Sequence, residues 1–385
     1  MVGCQGTCVQ VVGLKISNPM KWLAQRFELS RGGDASNVRP MEGLRGFAVF
    51  LVFLVHYMTL VTPWIVGEPS LLAFAKTTHT IGNVGVDLFF VLSGYLIYGS
   101  LISRPQAFMH FMSRRITRIY PAFFVVFVFY VALSFIFPAQ SKIPASAITG
   151  ILYLVANLLL LPGLFPIEPL ITVAWSLSYE MFYYIAIPLF IALFRLRDRS
   201  AVWRSSFFLA ITLATLAYCA IYGGPVRLVM FAAGILLFEA IKSKRVPTPS
   251  GIFGCFALVL GLVSTLAPIT GNIGMTLKIS ILFGSFFLLC LTCFRDPSGW
   301  LPQGFSWLPL RWLGNMSYSY YLLHGLVLKT AFLALSLLTM PANNNPTLLF
   351  CGLLPILFAA TLVPSAILYL AVERPFSLVR VKVAM

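Results

Sequence analysis

The chain has 385 residues, 59% of them hydrophobic and only 10% charged, with a mean hydropathy of +0.91. Such a composition cannot cover the surface of two or three soluble domains, so the length resolves into one polytopic assembly of membrane helices. The formal net charge of +16 does not indicate nucleic acid, because the basic residues fall in short clusters between apolar runs, the pattern that orients membrane helices.

Residues 1–38 read as a cytoplasmic arm: they contain Lys15, Lys21, Arg26 and Arg31 without an apolar stretch long enough for a secretory signal. The seven cysteines are scattered, with neither metal-ligand spacing nor the density of a disulfide scaffold, and no metal is expected. Apolar runs of spanning length follow near 43–62, 81–102, 119–137, 173–194, 206–222, 225–241, 251–269, 275–294, 312–338 and 347–371, with a shorter one at 147–162. If all crossed, the stretch Arg195, Arg197, Arg199, Arg204 and the tail with Arg374, Arg380 and Lys382 would lie outside, against the positive-inside rule. Reading 147–162, with its Asn157 and flanking Pro144 and Pro162, as a re-entrant half-depth segment restores the parity. The expectation is an all-α bundle of about ten crossings with both termini cytoplasmic, a membrane domain over 39–376 and a short tail over 377–385. On that topology 22 of the 27 Lys and Arg lie inside, leaving Lys76, Lys142, Arg227, Lys278 and Lys329 for the outer half.

The first span, "RGFAVFLVFLVH", carries Arg45 and His56 eleven positions apart. At 100° per residue they return within about 20° of one face, about 16 Å apart along the axis, so both are expected to point into one cavity. Arg45 fits a basic cytoplasmic flank, whereas an imidazole near mid-bilayer requires a function or a partner. The second span, "GNVGVDLFFVLSGYLI", brings glycines suited to close packing and Asp87, a carboxylate able to fix an imidazole tautomer. The inner loop "SRRITRIYP" concentrates Arg114, Arg115 and Arg118, which suits either orientation alone or a phosphate-rich cytosolic ligand. "AWSLSYEMFYY" sets Ser176, Ser178 and Glu180 at a depth comparable with His56, and "GNMSYSYYLLH" adds Tyr318 and His324, the latter equally suited to a structural or a functional role.

These segments, together with "RPMEGLRGFAVFLVFLVH", "RLVMFAAGILL" and "VERPF", resemble in order and wording the membrane-bound acyltransferase 3 family, over Arg39 to Phe376. The family's Arg and His separated by ten residues match Arg45 and His56, its Ser-x-Glu motif matches Ser178 and Glu180, and its arginine-rich loop matches Arg114, Arg115 and Arg118. The resemblance implies a multi-pass enzyme of the plasma (inner) membrane that moves an acyl group, usually acetyl, from cytosolic acyl-CoA to a hydroxyl of a glycan or glycolipid. Its partners would be the acyl-CoA, the acceptor and membrane lipids, with no nucleic acid. His56 is then the expected general base, with Glu180 first and Asp87 second as support for its imidazolium. Arg45 and the three loop arginines would bind the donor; Ser176, Ser178, Tyr318, His324 and Arg227 form the expected acceptor set. A proton-coupled transporter is the alternative that mid-membrane His, Asp and Glu also suit.

Overall fold

In a lipid solvent each backbone polar group must be satisfied within its own segment, which leaves helices as the economical answer to a sequence this apolar. The structure, a computed structural model, describes residues 19–28, 38–339 and 345–378. Among these residues it contains fifteen α-helices: α1 Pro19–Phe27, α2 Val38–Val61, α3 Pro69–Gly82, α4 Val84–Ser103, α5 Phe108–Ile136, α6 Ala147–Leu158, α7 Trp175–Leu193, α8 Ala201–Tyr222, α9 Val229–Lys242, α10 Gly251–Ser264, α11 Gly271–Arg295, α12 Trp300–Phe305, α13 Leu308–Asn315, α14 Ser317–Leu338 and α15 Pro346–Leu368. A π-helical extension, Tyr369–Leu378, continues α15. The expected all-α membrane bundle is the observed architecture.

Eight helical segments are long and apolar enough to cross a membrane, and they coincide with eight of the ten expected crossings. The other two, α9 and α10, have 14 helical residues each, about 21 Å against a hydrocarbon core of about 30 Å. The segment expected to be re-entrant is α6, 12 residues long and thus about 18 Å. Its return is pinned by the buried Asn157: the Leu170 N–H donates to Asn157 Oδ1 at 2.7 Å, while Asn157 Nδ2 donates to the Tyr153 carbonyl at 3.0 Å. Gly163 in the same return has φ +95°, and a Cβ there would meet the Trp175 carbonyl, so the turn requires glycine.

Small residues set the core. A Cβ on Gly94 of α4 would run into the Phe231 carbonyl of α9, and one on Gly234 of α9 into the Val91 carbonyl of α4, so these helices cross backbone to backbone. The expected packing role of the second-span glycines is observed again at Gly85, whose missing side chain admits the Ala48 carbonyl of α2. The α3–α4 segment, α2 and α11 are the most buried, at 61%, 56% and 56% of their apolar windows, whereas α8 and the α15 segment, at 17% each, form the lipid-facing periphery.

Polar contacts gather toward the end of the bundle that carries the basic loops, which we call inner. Arg204 forms a two-pronged pair with the buried Glu239, Nε to Oε1 at 2.6 Å and Nη2 to Oε2 at 2.8 Å, joining α8 to α9. The N-terminal arm contributes α1, which docks on the membrane domain: Phe27 stacks on Tyr369 at 5.4 Å, Asn315 Nδ2 donates to the Phe27 carbonyl at 3.0 Å, and Arg374 Nη2 donates to the Gln25 carbonyl at 3.1 Å. The remainder of the arm and residues 379–385 of the tail lie outside the described residues.

Candidate active site

Helix α2 has no proline or glycine between Phe47 and Val61, so the eleven-residue spacing of Arg45 and His56 translates directly into about 16 Å of rise. The single cavity expected for both side chains is not observed: they share a helix face, but Tyr321 of α14 divides the space along it, and each lines a different cavity. Arg45 faces an inner cavity of about 390 Å³ and His56 an outer one of about 380 Å³. Tyr321 of α14 lines both, so its ring is part of the wall between them. Its hydroxyl lies 2.8 Å from Ser176 Oγ and donates to the Val173 carbonyl at 3.1 Å.

The inner cavity brings together Arg45, Arg115 and Arg118 against one lining carboxylate, Glu180. Arg45 Nη2 donates to Ser317 Oγ at 3.0 Å. Arg115 donates to Ser100 Oγ at 3.3 Å and lies over the Phe111 and Tyr184 rings at 5.0 and 5.4 Å, an aromatic cradle that holds a guanidinium without neutralising it. Arg118 approaches Glu373 at 3.9 Å. Glu373 itself is fully buried and accepts from the Ser319 hydroxyl at 2.6 Å and the Ser319 N–H at 3.0 Å. Tyr318 lines the same cavity while donating to the Ile119 carbonyl at 2.8 Å. Arg114 is directed elsewhere: exposed, it donates to Gln106 Oε1 and lines neither cavity.

In the outer cavity no hydrogen-bond partner reaches either ring nitrogen of His56 among the described residues; its neighbour is the His324 ring, edge-to-face with centroids 5.0 Å apart. His324 is fully buried, and its Nδ1 lies 2.9 Å from the Tyr320 carbonyl. A carbonyl only accepts, so Nδ1 carries the hydrogen and Nε2 is left as a buried acceptor with no hydrogen-bond partner. The rest of the lining is apolar, punctuated by hydroxyls such as Thr59 and Thr172 and by Lys142 and Lys329.

Several sequence expectations are therefore redistributed. Glu180 does not meet His56; its Oε1 accepts from Tyr184 at 2.6 Å and Ser93 at 3.3 Å inside the arginine-rich cavity. Asp87 is fully buried and faces Arg227 at 3.3 Å, so the second candidate carboxylate is occupied by an ion pair that lines neither cavity. Arg227 thereby leaves the expected acceptor set, as does Ser178, whose buried hydroxyl donates to the Pro162 carbonyl and ties down the α6 return. Ser176 and Tyr318 line the inner cavity. The common reason is distance along the sequence: Arg227 and Asp87 lie on different helices, and no periodicity rule couples them. Sequence reasoning missed Tyr321, Lys142, Lys329 and Glu373, although an acid inside "VERPF", next to a membrane run, carried a legible signal.

The family profile described as "Acyltransferase domain" matches residues 40–369. The peptidoglycan O-acetyltransferase OatA of Listeria monocytogenes is 28% identical over 327 residues, covering 74% of this chain and 49% of that protein. The exopolysaccharide production protein ExoZ of Rhizobium meliloti is 30% identical over 329 residues, 79% of this chain and 92% of that protein. An O-acetyltransferase OatA of Staphylococcus aureus is 30% identical over 324 residues, 74% and 49% of the two chains, so the chain spans about half the length of the OatA proteins it matches. No solved structure matches the chain. With a profile match covering nearly all of the membrane domain and both cavities, this multi-pass membrane protein belongs to the acyltransferase 3 family.

Proposed function

We propose that the protein is an O-acyltransferase of the plasma membrane that moves an acyl group, most simply acetyl, from cytosolic acyl-CoA in the inner cavity to a hydroxyl of an envelope glycan or glycolipid in the outer cavity. The observation that carries this reading is the pair of cavities meeting at Tyr321, one lined by three guanidiniums and the other by an imidazole free to face a substrate. Guanidiniums match the phosphates of a nucleotide-bearing donor, and the pantetheine arm is long enough to cover the roughly 16 Å between Arg45 and His56. The matched relatives' named roles in peptidoglycan and exopolysaccharide chemistry favour a glycan acceptor.

In the reaction, His56 takes the proton of the acceptor hydroxyl as the oxygen attacks the thioester carbonyl. The C–S bond breaks, the CoA thiolate leaves toward the inner side and collects a proton, and the new ester stays with the acceptor. Support for the transient imidazolium comes from His324, whose ring lies 5.0 Å from that of His56 and whose unprotonated Nε2 is buried without a partner. Two imidazoliums so close would repel, so at most one of the two rings is an imidazolium at a time, which keeps a basic nitrogen available on the other. Glu180 acts at the donor end, where it and Tyr184 order the guanidinium-rich wall. A proton-coupled carrier finds no support among the matched relatives.

The test is purified protein in detergent with acetyl-labelled CoA. Release of free CoA, with label passing to an added glycan acceptor or to water, is the expected outcome. Absence of any CoA release from a folded protein that still binds CoA would overturn the reading.

A further inference from the structure

Most core glycines here are explained by a neighbour: a Cβ at Gly46, Gly85, Gly94 or Gly234 would strike a facing backbone carbonyl. Gly325 of α14 belongs with glycines such as Gly284 and Gly352 that have no such neighbour, and differs from them in lining the outer cavity. A Cβ at Gly325 would meet nothing within 4 Å, and the residue lines the outer cavity beside His56 and Tyr321. A glycine inside a helix weakens it relative to alanine, and no close packing accounts for this one. What it preserves is empty volume next to the imidazole.

One turn further along the same face, Lys329 lines the same cavity. Basic residues are scarce in this half of the protein, five of the 27 Lys and Arg, and the cavity's other lysine, Lys142, is neutralised by Glu168 at 3.0 Å. No carboxylate pairs with Lys329 among the described residues, and no Asp or Glu lines the cavity. Lys329, exposed where it lines the cavity, therefore places an uncompensated positive charge about 6 Å in helical rise from an open space beside the base.

We propose that Gly325 and Lys329 form an acceptor subsite selective for an anionic glycan, with the reacting sugar in the space over Gly325 and a phosphate or carboxylate of the same acceptor at Lys329. This rests on the reading that the outer cavity takes the acceptor. The anionic group could belong to a lipid-phosphate carrier or to an acidic sugar, and both present the same chemistry to an ammonium. Lys329 is a binding residue here, and Gly325 sets the size of ring admitted.

The geometry is tested first without an acceptor. Gly325→Cys, with the thiol background taken from the parent protein, is treated from the outer side with the anionic ethylsulfonate and the cationic trimethylammonium methanethiosulfonates. A new thiol that reacts at least about tenfold faster with the anionic reagent, the preference falling to about onefold when Lys329→Gln is added, supports the subsite. A preference untouched by Lys329→Gln overturns it, and so does a Gly325→Cys thiol reached by neither reagent, which would also deny the outer cavity its access.

The acceptor class is tested with acetyl-labelled CoA and three acceptors: a polyprenyl-phosphate-linked saccharide in vesicles, a soluble glucuronate-containing oligosaccharide, and its neutral counterpart. Lys329→Gln should raise KM at least about tenfold for whichever anionic acceptor is used, leave kcat nearly unchanged, and be rescued by Lys329→Arg. Gly325→Leu should lower transfer to every acceptor while CoA binding persists. Exclusive use of the neutral acceptor, or an equal Lys329→Gln defect with all three, would overturn the anionic subsite. Loss of CoA release in the wild type would instead count against the acyltransferase reading, and the thiol labelling would still decide the geometry.

Discussion

Neutralising the loop arginines one at a time separates donor recognition from membrane orientation, because the structure divides them. Arg115 and Arg118 line the inner cavity, whereas Arg114 points to Gln106 outside it. A lost charge-assisted contact to a phosphate is worth about 1.5–3 kcal/mol, or about one to two decades in Kd at 1.4 kcal/mol per decade. Arg115, cradled by two rings and one hydroxyl with no carboxylate among those contacts, should fall at the upper end. Arg118 already shares its charge with Glu373 at 3.9 Å and should fall at the lower end. Arg114→Gln should change Kd by less than about threefold, the scale of a surface substitution. The assay is equilibrium binding of acetyl-CoA and of S-acetylpantetheine, which lacks the nucleotide phosphates, to purified variants. Arg115→Gln and Arg118→Gln should weaken the first ligand and leave the second nearly unchanged. Equal losses with both ligands at normal expression, or an Arg114→Gln defect as large as the others, would refute the donor site at this cavity.

Two further outcomes follow from the redistributed polar residues. His324→Ala should lower kcat by at least about tenfold, less than loss of the base itself, with acetyl-CoA affinity retained; a simultaneous collapse of donor binding in single-turnover experiments would assign His324 to the fold. Asp87→Asn should destabilise the protein by about 3–5 kcal/mol, because it leaves Arg227 without its buried carboxylate. Asp87→Asn combined with Arg227→Gln should recover most of that loss in thermal unfolding, whereas a fully stable but inactive Asp87→Asn would return Asp87 to the neighbourhood of the base.

The helical class was legible because it depends on a local rule, apolar run length; the 3.6-residue period gave the spacing of Arg45 and His56 but not their division between two cavities. The glycines of "GNVGVDLFFVLSGYLI" were legible as packing sites for the same reason: small residues in an apolar helix have few other uses. What the sequence could not disclose was which long-range pairs consume the charged groups. Asp87 and Arg227, Arg118 and Glu373, and Arg204 and Glu239 are brought together only by the order in which helices pack. Glu180 on α7 and His56 on α2 were expected at comparable depths, but Glu180 lines the inner cavity with Arg45 and His56 the outer one, on the other side of Tyr321. The extent of α10 was overestimated because hydropathy continues through the turn that follows Ser264, whereas the run expected at 225–241 is helical from Val226 onward once the 3-10 turn Val226–Leu228 is counted with α9.

The central claim is that an imidazole on α2, set about 16 Å from the donor arginine, removes the proton of the acceptor hydroxyl. Its most direct test is acyl transfer by purified His56→Ala measured beside CoA binding to the same preparation. The account predicts acetyl-CoA bound with wild-type affinity and transfer reduced by at least about a hundredfold. Transfer at a rate near wild type from a folded His56→Ala protein would contradict it.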